Sequence, residues 1–475
     1  MQHCDVAIVG AGTGGIPAAI EAVQTGARVV LIEQSDRVGG TLHVSAAQMS
    51  GAGTRLQRER GIADTPQAHL QDAIRISRGT CDATLVAKAT GLGGSTIDWL
   101  MELGFDMDPV CPAILHFHEA YLTPRTYWGR DGGRSVLRVL LPLLNAAMAR
   151  PNATLLLGTE AECLLRDTSG AVTGLRLRNR DGGTSSELYA RSVVLASGGY
   201  AGNPELFARL TDGAPLYTPA LSIASGSGIE MAEAIGARIR GGEHFIPTFA
   251  GIEEADGKGR VLWDHLPSLT PQVRPPWELY VGPDGRRFVR EDIDSVDARE
   301  RALMRLPGLT FWTVFDQTAC EEAPPLLPGW HTDELADAWT SSPSFATADT
   351  IEELARRAGI DPVGLAASVA QYNAALADGA ADPLGRLYRP CPITAPPYRA
   401  IRMHGIVLKT PAGLAVNTDL NVLDRNGAPI PNLYAIGEAI GGATLSGNSF
   451  VGGMSVTPAL SFGRWIGQEL GRRYA

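Results

Sequence analysis

At the start of the chain the apolar residues first have the spacing of a buried strand and then the spacing of a helix. Residues 6–9 form an unbroken apolar run, which is typical of a buried parallel strand. Apolar residues at helical spacing follow, from Ile16 to Val23, and residues 28–32 form a second strand pattern. The pattern predicts a strand, a helix and a parallel strand within about 30 residues.

The loop between the first strand and the helix consists mostly of glycine. Gly10, Gly12 and Gly15 have the spacing of a dinucleotide-binding loop, and Glu33 lies at the tip of the second strand. Such glycines permit a tight turn and let a pyrophosphate approach the amide groups at the start of the helix. A carboxylate at Glu33 can accept hydrogen bonds from ribose hydroxyls. The combination predicts a dinucleotide site; the alternative is a glycine-rich turn that binds nothing.

Strand and helix patterns recur along the rest of the chain. The predicted strands are residues 153–157, 174–177, 192–196, 413–416 and 432–438, and the predicted helices are residues 228–235, 350–358 and 362–377. A hairpin is predicted at residues 279–289 around a Gly-Pro-Asp-Gly turn. A final helix is predicted to begin near Thr457, as N-cap, with Pro458 at N1.

The composition of the chain changes near residue 240 and again near residue 395. Proline becomes frequent after the first change, and buried strands followed by glycines return after the second. This alternation predicts a dinucleotide domain made of residues 1–238 and 392–475, interrupted by an inserted domain at residues 239–391.

Composition and charge exclude several classes of protein. The 475 residues are 44% hydrophobic and 19% charged, as in an ordinary globular protein, and the net charge of −10 argues against a nucleic-acid partner. No apolar run reaches the roughly 18 residues of a membrane helix, and the first strand begins too early to leave room for a signal peptide. We therefore expect a soluble, cytoplasmic protein. The six cysteines include no CxxC pair, so no metal site, iron–sulfur cluster or disulfide framework is expected.

Several motifs occur in a specific order along nearly the whole chain. They are Gly10-Ala11-Gly12-Thr13-Gly14-Gly15, Glu33, Gly39-Gly40-Thr41, Ala196-Ser197-Gly198-Gly199-Tyr200, Gly285-Arg286-Arg287-Phe288-Val289 and Leu433-Tyr434-Ala435-Ile436-Gly437-Glu438. In this order they resemble the FAD-binding fumarate reductase/succinate dehydrogenase flavoprotein superfamily. The C-terminal loop, residues 447–453, is most similar to that of the 3-ketosteroid Δ1-dehydrogenases, which belong to the same superfamily. The resemblance implies an α/β fold: a Rossmann-like FAD-binding domain of the glutathione-reductase type, interrupted by an α+β domain that caps the flavin.

The resemblance also implies which residues bind FAD. Glu33 would bind the adenosine ribose, the glycines of the first loop would approach the pyrophosphate, and Glu438 would bind the ribityl side. The full implied set is Gly10, Gly12, Thr13, Gly14, Gly15, Glu33, Gly40, Thr41, Ala161, Glu162, Ser197, Gly198, Gly437, Glu438, Gly453, Ser455 and Val456. Members with covalent FAD attach it through a histidine after the glycine pair. His43 is out of register for that bond, so noncovalent FAD is expected here.

Four substrate-binding positions depart from the fumarate reductase pattern. Two arginines and two histidines of those enzymes correspond by motif alignment to Ile246, Ser295, Lys409 and Phe450. Binding two carboxylates requires charge-assisted donors, which isoleucine and phenylalanine lack. The tyrosine of the ketosteroid dehydrogenase loop is also replaced, by Phe450. We therefore expect an apolar pocket beside the flavin that takes an uncharged carbonyl compound.

Residues 116–128 are the strongest source of acid–base groups. The segment contains two histidines, two tyrosines, a tryptophan and an arginine, and the resemblance places it beside the substrate cavity. We expect Tyr127 or Tyr121 to act as acid or base, with His118 as the alternate and Phe450 facing the substrate. The competing interpretation is an aromatic surface loop.

The charged residues that follow the Arg-Phe motif predict a helix face exposed to solvent. Asp294, Asp297 and Glu300 alternate with Arg299 and Arg301, which is typical of a solvent-exposed helix face.

Together these features predict an FAD-dependent enzyme acting on CH–CH groups. The preferred activity is α,β-dehydrogenation, or the reverse ene-reduction, of an apolar, cyclic carbonyl compound by hydride transfer to flavin N5. One alternative is a carboxylate substrate bound by relocated cations such as Arg125 and Lys409. The other is a flavin-bearing electron-transfer subunit. A small-molecule substrate and an unidentified electron acceptor are the expected partners, with no nucleic acid and no membrane span.

Overall fold

The computed structural model describes residues 2–180, 182–183 and 185–475. Its strands are β1 (Gln2–Val9), β2 (Val29–Ile32), β3 (Met49–Ser50), β4 (Thr126–Tyr127), β5 (Ala153–Leu156), β6 (Thr159–Arg166), β7 (Val172–Asn179), β8 (Ser185–Leu195), β9 (Ile239–Arg240), β10 (Thr248–Gly251), β11 (Leu279–Val281), β12 (Thr310–Phe315), β13 (Phe345–Ala348), β14 (Tyr398–Ile406), β15 (Gly413–Leu414), β16 (Asn421–Leu423) and β17 (Pro429–Ala435). Its helices are α1 (Gly15–Gln24), α2 (Arg55–Glu59), α3 (Pro66–Ile76), α4 (Ala83–Glu102), α5 (Gly132–Met148), α6 (Pro204–Leu210), α7 (Ser227–Ala234), α8 (Val296–Leu303), α9 (Gln317–Glu322), α10 (Thr332–Ser341), α11 (Ile351–Ala358), α12 (Pro362–Ala377), α13 (Gly442–Ser446) and α14 (Val456–Tyr474).

The main sheet confirms the predicted strand–helix–strand unit and the α/β fold class. Its order is β16-β17-β8-β1-β2-β5, with β1, β2, β5, β8 and β17 parallel and with β7 and β6 attached to β8 as antiparallel strands. All four residues of β2 are buried, and β2 packs against α1 and β6, as expected for a parallel strand covered on both faces. α1 packs against α5 and α14, and α14 packs against α4.

A second, antiparallel sheet lies outside the main one. Its order is β10-β14-β12-β11, with β13 also paired to β14. It has its own apolar clusters, in which Tyr280, Phe311 and Met403 are buried on one side and Leu279, Val314 and Leu354 on the other. The predicted split at residues 239–391 stays a prediction. Because β14 belongs to the second sheet, we propose that the boundary falls after Ile406 instead of at 391.

Three local predictions need correction. The segment predicted as a buried strand at 413–416 forms only the short β15, which pairs with β9, while Ala415 and Val416 contact β16. At 279–289 the predicted turn closes through Gly282 and Arg286 and continues in a single antiparallel bridge between Val281 and Arg287. The second arm forms no strand, and β11 pairs along its length with β12. The final helix begins at Val456, and the Thr457 hydroxyl accepts the Ser50 amide at 2.8 Å instead of capping the helix.

None of the described helices is long and apolar enough to cross a membrane. The cytoplasmic location remains a prediction.

Candidate active site

A cavity opens where the parallel strands of the main sheet end. It is bordered by residues just beyond the carboxyl ends of β1, β2, β8 and β17, and by the first residues of α14. Ligands of doubly wound α/β proteins bind at this edge of the sheet.

Three glycines in the loop between β1 and α1 look alike in sequence but have different structural roles. Gly10 has φ +100°, and a Cβ there would lie 2.5 Å from the Ala196 carbonyl oxygen. A Cβ on Gly15 would lie 1.8 Å from the Gly10 carbonyl oxygen, so this glycine permits close packing of helix and strand. A Cβ on Gly12 would meet no protein atom within 4 Å, and Gly12 lines the cavity. Gly12 is therefore the position at which a ligand can approach the backbone.

Glu33 presents a buried carboxylate to the cavity. One oxygen accepts the Ala11 amide at 2.9 Å, and the other accepts the amide and hydroxyl of Ser35 at 2.9 and 2.8 Å. These bonds orient the carboxylate at the end of β2, where a ribose hydroxyl can donate to its remaining lone pairs.

Glu438 is oriented in a similar way on the opposite wall. Its Oε1 accepts both the amide and the hydroxyl of Thr410 at 2.7 Å, and burial raises the pKa of Glu438. Nearby, Ser197 Oγ is buried without a hydrogen-bond partner, and a Cβ on Gly198, at φ +79°, would meet no atom within 4 Å. An unpartnered hydroxyl and an open glycine cradle fit a polar ligand that extends along this wall.

The structure brings most of the predicted cofactor residues together. Those that line the cavity are Gly10, Gly12, Thr13, Gly14, Glu33, Gly40, Thr41, Ala161, Ser197, Gly198, Gly437, Glu438, Ser455 and Val456. Three do not line it. Gly15 packs under the loop, the exposed Glu162 bonds Arg178 and Ser185, and Gly453 packs against the Ser50 amide.

The two predicted catalytic tyrosines lie in the protein interior. The fully buried Tyr127 hydroxyl is 2.7 Å from Thr54 Oγ1, and Tyr121 donates to the Gly452 carbonyl at 2.5 Å. Burial raises the pKa of both phenols. Neither lines the cavity described above. Their roles as acid or base stay predictions. The hydrogen bond between Tyr127 and Thr54 does not favour Tyr127 as the acid or base.

His118 and Phe450 are brought into direct contact. Their rings stack at a centroid distance of 3.5 Å with an interplanar angle of 15°. Burial and the charge of Lys409 lower the pKa of His118 to about 3, so the imidazole is neutral at physiological pH. Its Nδ1 is buried without a partner. The pair forms an aromatic wall, next to which Lys409 lies with its Nζ 4.1 Å from the Phe450 centroid.

The prediction that the charged side chains of α8 face solvent is wrong. Asp297, Arg299 and Glu300 are all buried. Asp297 accepts hydrogen bonds from Arg301 and from Ser449 Oγ, the latter at 2.5 Å, and thereby ties α8 to the loop that carries Phe450. The alternation of charges did not reveal this, because a buried ion network and a solvated face share the same pattern.

Arg125, one of the relocated cations considered above, is already paired. Its guanidinium is 1% exposed and donates to Asp64 at 2.8 and 3.0 Å and to Asp72 at 2.9 Å. Arg125 therefore cannot serve as the cation for a substrate carboxylate.

The described residues contain no cluster of three or more histidine, cysteine or acidic side chains that could hold a metal ion.

A parallel sheet, a glycine turn after its first strand, a buried carboxylate at the end of the second strand and a cavity at this edge of the sheet together define a dinucleotide-binding protein of the α/β class. The FAD binding domain family matches residues 5–456, and the chain belongs to that family.

Relatives and solved structures with similar chains agree with this assignment. A probable fumarate reductase, Ifc3, of Shewanella frigidimarina is 28% identical over 98% of this chain and 75% of its own length. A urocanate reductase of Eggerthella lenta is 28% identical over 98% of this chain and 74% of its own length. The 3-ketosteroid delta1-dehydrogenase from Sterolibacterium denitrificans, in complex with 1,4-androstadiene-3,17-dione, has a TM-score of 0.77 at 21% identity, covers all of both chains and shows the same fold. These findings confirm FAD as the cofactor and the prediction of an FAD-dependent oxidoreductase.

Proposed function

We propose that this protein reduces, or in the reverse direction forms, the carbon–carbon double bond beside the carbonyl group of an apolar, cyclic compound. The relatives named above support the coarser part, because fumarate and urocanate are both unsaturated compounds. The preference for an uncharged substrate rests on the residues that stand at the family's cationic positions. When bound, FAD supplies the hydride donor or acceptor at flavin N5.

The argument for an uncharged substrate rests on the four positions that carry arginine or histidine in the fumarate reductases. Ser295 caps α8 and donates to Glu119 at 2.8 Å, and Phe450 stacks on His118. With Ile246 apolar, Lys409 is the single cation among the four. One ammonium cannot pair with two carboxylates, and leaving a carboxylate desolvated without a partner costs several kcal/mol. The chain's own residues thus provide an apolar wall and one donor, which suits a single carbonyl oxygen.

A substrate panel tests this proposal. Photoreduced holoenzyme is mixed anaerobically with 2-cyclohexenone, an unsaturated 3-ketosteroid, fumarate and urocanate, and the return of the flavin's visible absorbance is followed. Oxidised enzyme is mixed with the saturated ketones and with succinate. We expect the ketones to react and fumarate and succinate to fail at millimolar concentration. Fast reoxidation by fumarate alone would contradict the proposal.

Two other functions remain as alternatives with different outcomes. A carboxylate-specific reductase using Lys409 would react with a monocarboxylate or urocanate but not with the ketones. A flavin-bearing electron-transfer subunit would react with none of the small molecules and only with a partner protein. The stacked rings of His118 and Phe450 favour an enzyme over a bare flavin carrier.

A further inference from the structure

The chain uses lysine very rarely, and one of its lysines is half-buried beside the cofactor cavity. The sequence contains Lys88, Lys258 and Lys409, and arginine supplies the other cationic side chains. Lys258 is exposed, and Lys88 lies 3.1 Å from the Trp465 ring centroid on the outer side of α14. Lys409 follows β14 in the loop that leads to Thr410.

Contacts along its whole length place the Lys409 side chain. A Cβ built on Gly442, which lines the cavity, would lie 3.0 Å from Lys409 Cδ, so the aliphatic stem passes directly over this glycine. The ammonium donates to Ser446 Oγ at 2.7 Å and lies 4.1 Å from the Phe450 ring centroid. The cation therefore sits between the cavity wall and the aromatic wall of His118 and Phe450.

Among the described residues, no carboxylate forms an ion pair with this ammonium within 4.0 Å. The charged groups that face it are Glu300 on α8 and Glu438 on the cavity wall, and burial raises the pKa of both. His118, on the third side, is neutral. An ammonium has three donors, and only one is used by Ser446.

We propose that the Lys409 ammonium is the group that binds the carbonyl oxygen of the substrate and stabilises the negative charge that develops on it. This inference rests on the proposed function. A half-buried cation, already oriented by Ser446 and Phe450, stabilises such charge with little reorganisation during the reaction. Ser446 is a positioning residue in this arrangement, because it holds the ammonium and does not contact the substrate.

The environment of Lys409 gives the reaction a pH dependence. Burial lowers the pKa of Lys409 from 10.5 to about 7, while Glu300 and Glu438 oppose that shift. The ammonium is therefore present below about pH 7 and is lost as the pH rises above it. Arginine stays charged throughout this range. Binding of an oxyanion should weaken above pH 7 in the wild-type protein but not in Lys409→Arg.

Binding of 4-nitrophenol to the oxidised holoenzyme tests the site without turnover. Its absorbance distinguishes bound phenolate from bound phenol in difference spectra. At pH 6.5 we expect the wild type to bind the phenolate, and Lys409→Met to weaken binding by about 10- to 100-fold, as for a lost charge-assisted hydrogen bond. Lys258→Met is the matched control and should bind like the wild type. FAD content and thermal unfolding confirm that each variant is folded.

Protein labelled with [ε-¹³C]lysine provides the second measurement. The spectrum should contain three lysine signals, and the one missing in Lys409→Met should titrate near pH 7. Nitrophenol binding that Lys409→Met leaves unchanged would overturn the inference, and a Lys409 signal that titrates near its ordinary value would overturn the pH dependence. If nitrophenol binding depends on Lys409 but every ketone of the substrate panel fails, the oxyanion site stands and the proposed substrate class is wrong.

Discussion

Replacement of single glycines in the first loop separates cofactor binding from folding. Gly12→Ala adds a methyl group to a position where no protein atom lies within 4 Å, so the protein itself gains no clash. Gly15→Ala adds the same group 1.8 Å from the Gly10 carbonyl oxygen. The backbone must move to relieve this clash. The two substitutions are chemically identical and only three residues apart. They should nevertheless act on different properties.

The expected magnitudes follow from these distances. A methyl group that intrudes on a well-packed ligand costs about 1–3 kcal/mol, which corresponds to a roughly 5- to 150-fold weaker affinity for FAD in Gly12→Ala. The free energy of unfolding of the apoprotein should change by less than about 0.5 kcal/mol. Gly15→Ala should lower both the FAD affinity and the stability of the apoprotein, because it separates α1 from β1.

Gly91→Ala is the matched control for this pair. Gly91 lies on the exposed side of α4, and a Cβ there also meets no atom within 4 Å. We expect normal FAD binding and a gain of about 0.5–1 kcal/mol from improved helix propensity. FAD affinity is measured by titrating apoprotein, and stability by urea denaturation. Unchanged FAD affinity in Gly12→Ala would refute the placement of the cofactor beside this glycine.

Four further predictions concern other parts of the molecule. Arg125→Met strands two buried carboxylates and should lower the free energy of unfolding by about 3–5 kcal/mol, whereas Arg130→Met, which breaks an exposed pair, should cost less than about 1 kcal/mol by urea denaturation. Tyr127→Phe should lower the chemical step by ~10²–10⁴-fold if the phenol is the acid or base; a loss of about 1 kcal/mol in stability with full activity would assign it to the Thr54 hydrogen bond alone. Glu33→Ala should reduce FAD occupancy, measured from the visible absorbance, without unfolding the protein. Acid precipitation should release all flavin into the supernatant, since His43 Nε2 is held 2.9 Å from the Val38 carbonyl oxygen; flavin retained in the pellet would show a covalent bond.

The start of the chain could be predicted from sequence because its signals are local. The apolar run of β1, the glycines after it and the carboxylate of Glu33 lie within one strand–helix–strand unit, and the backbone geometry of that unit has few solutions. The same holds for the strand ends at Ser197 and Glu438, each of which follows a buried apolar run. The predicted cofactor residues lie together for this reason: parallel strands of one sheet end at the same edge.

The substrate side depended on contacts between residues far apart in the chain. The charges of α8 gave the pattern of a solvated helix, yet Asp297 is buried because Ser449, 152 residues away, donates to it. Sequence identified Lys409 only as a possible relocated cation, and its contacts with Ser446 and Phe450 became apparent only in the structure. Local sequence determined the fold class, the cofactor cavity and most of its lining, since periodicity and turn chemistry act over a few residues. Only the tertiary structure decided which charged side chains are buried, paired or free, because burial and pairing depend on which distant segments pack against each of them.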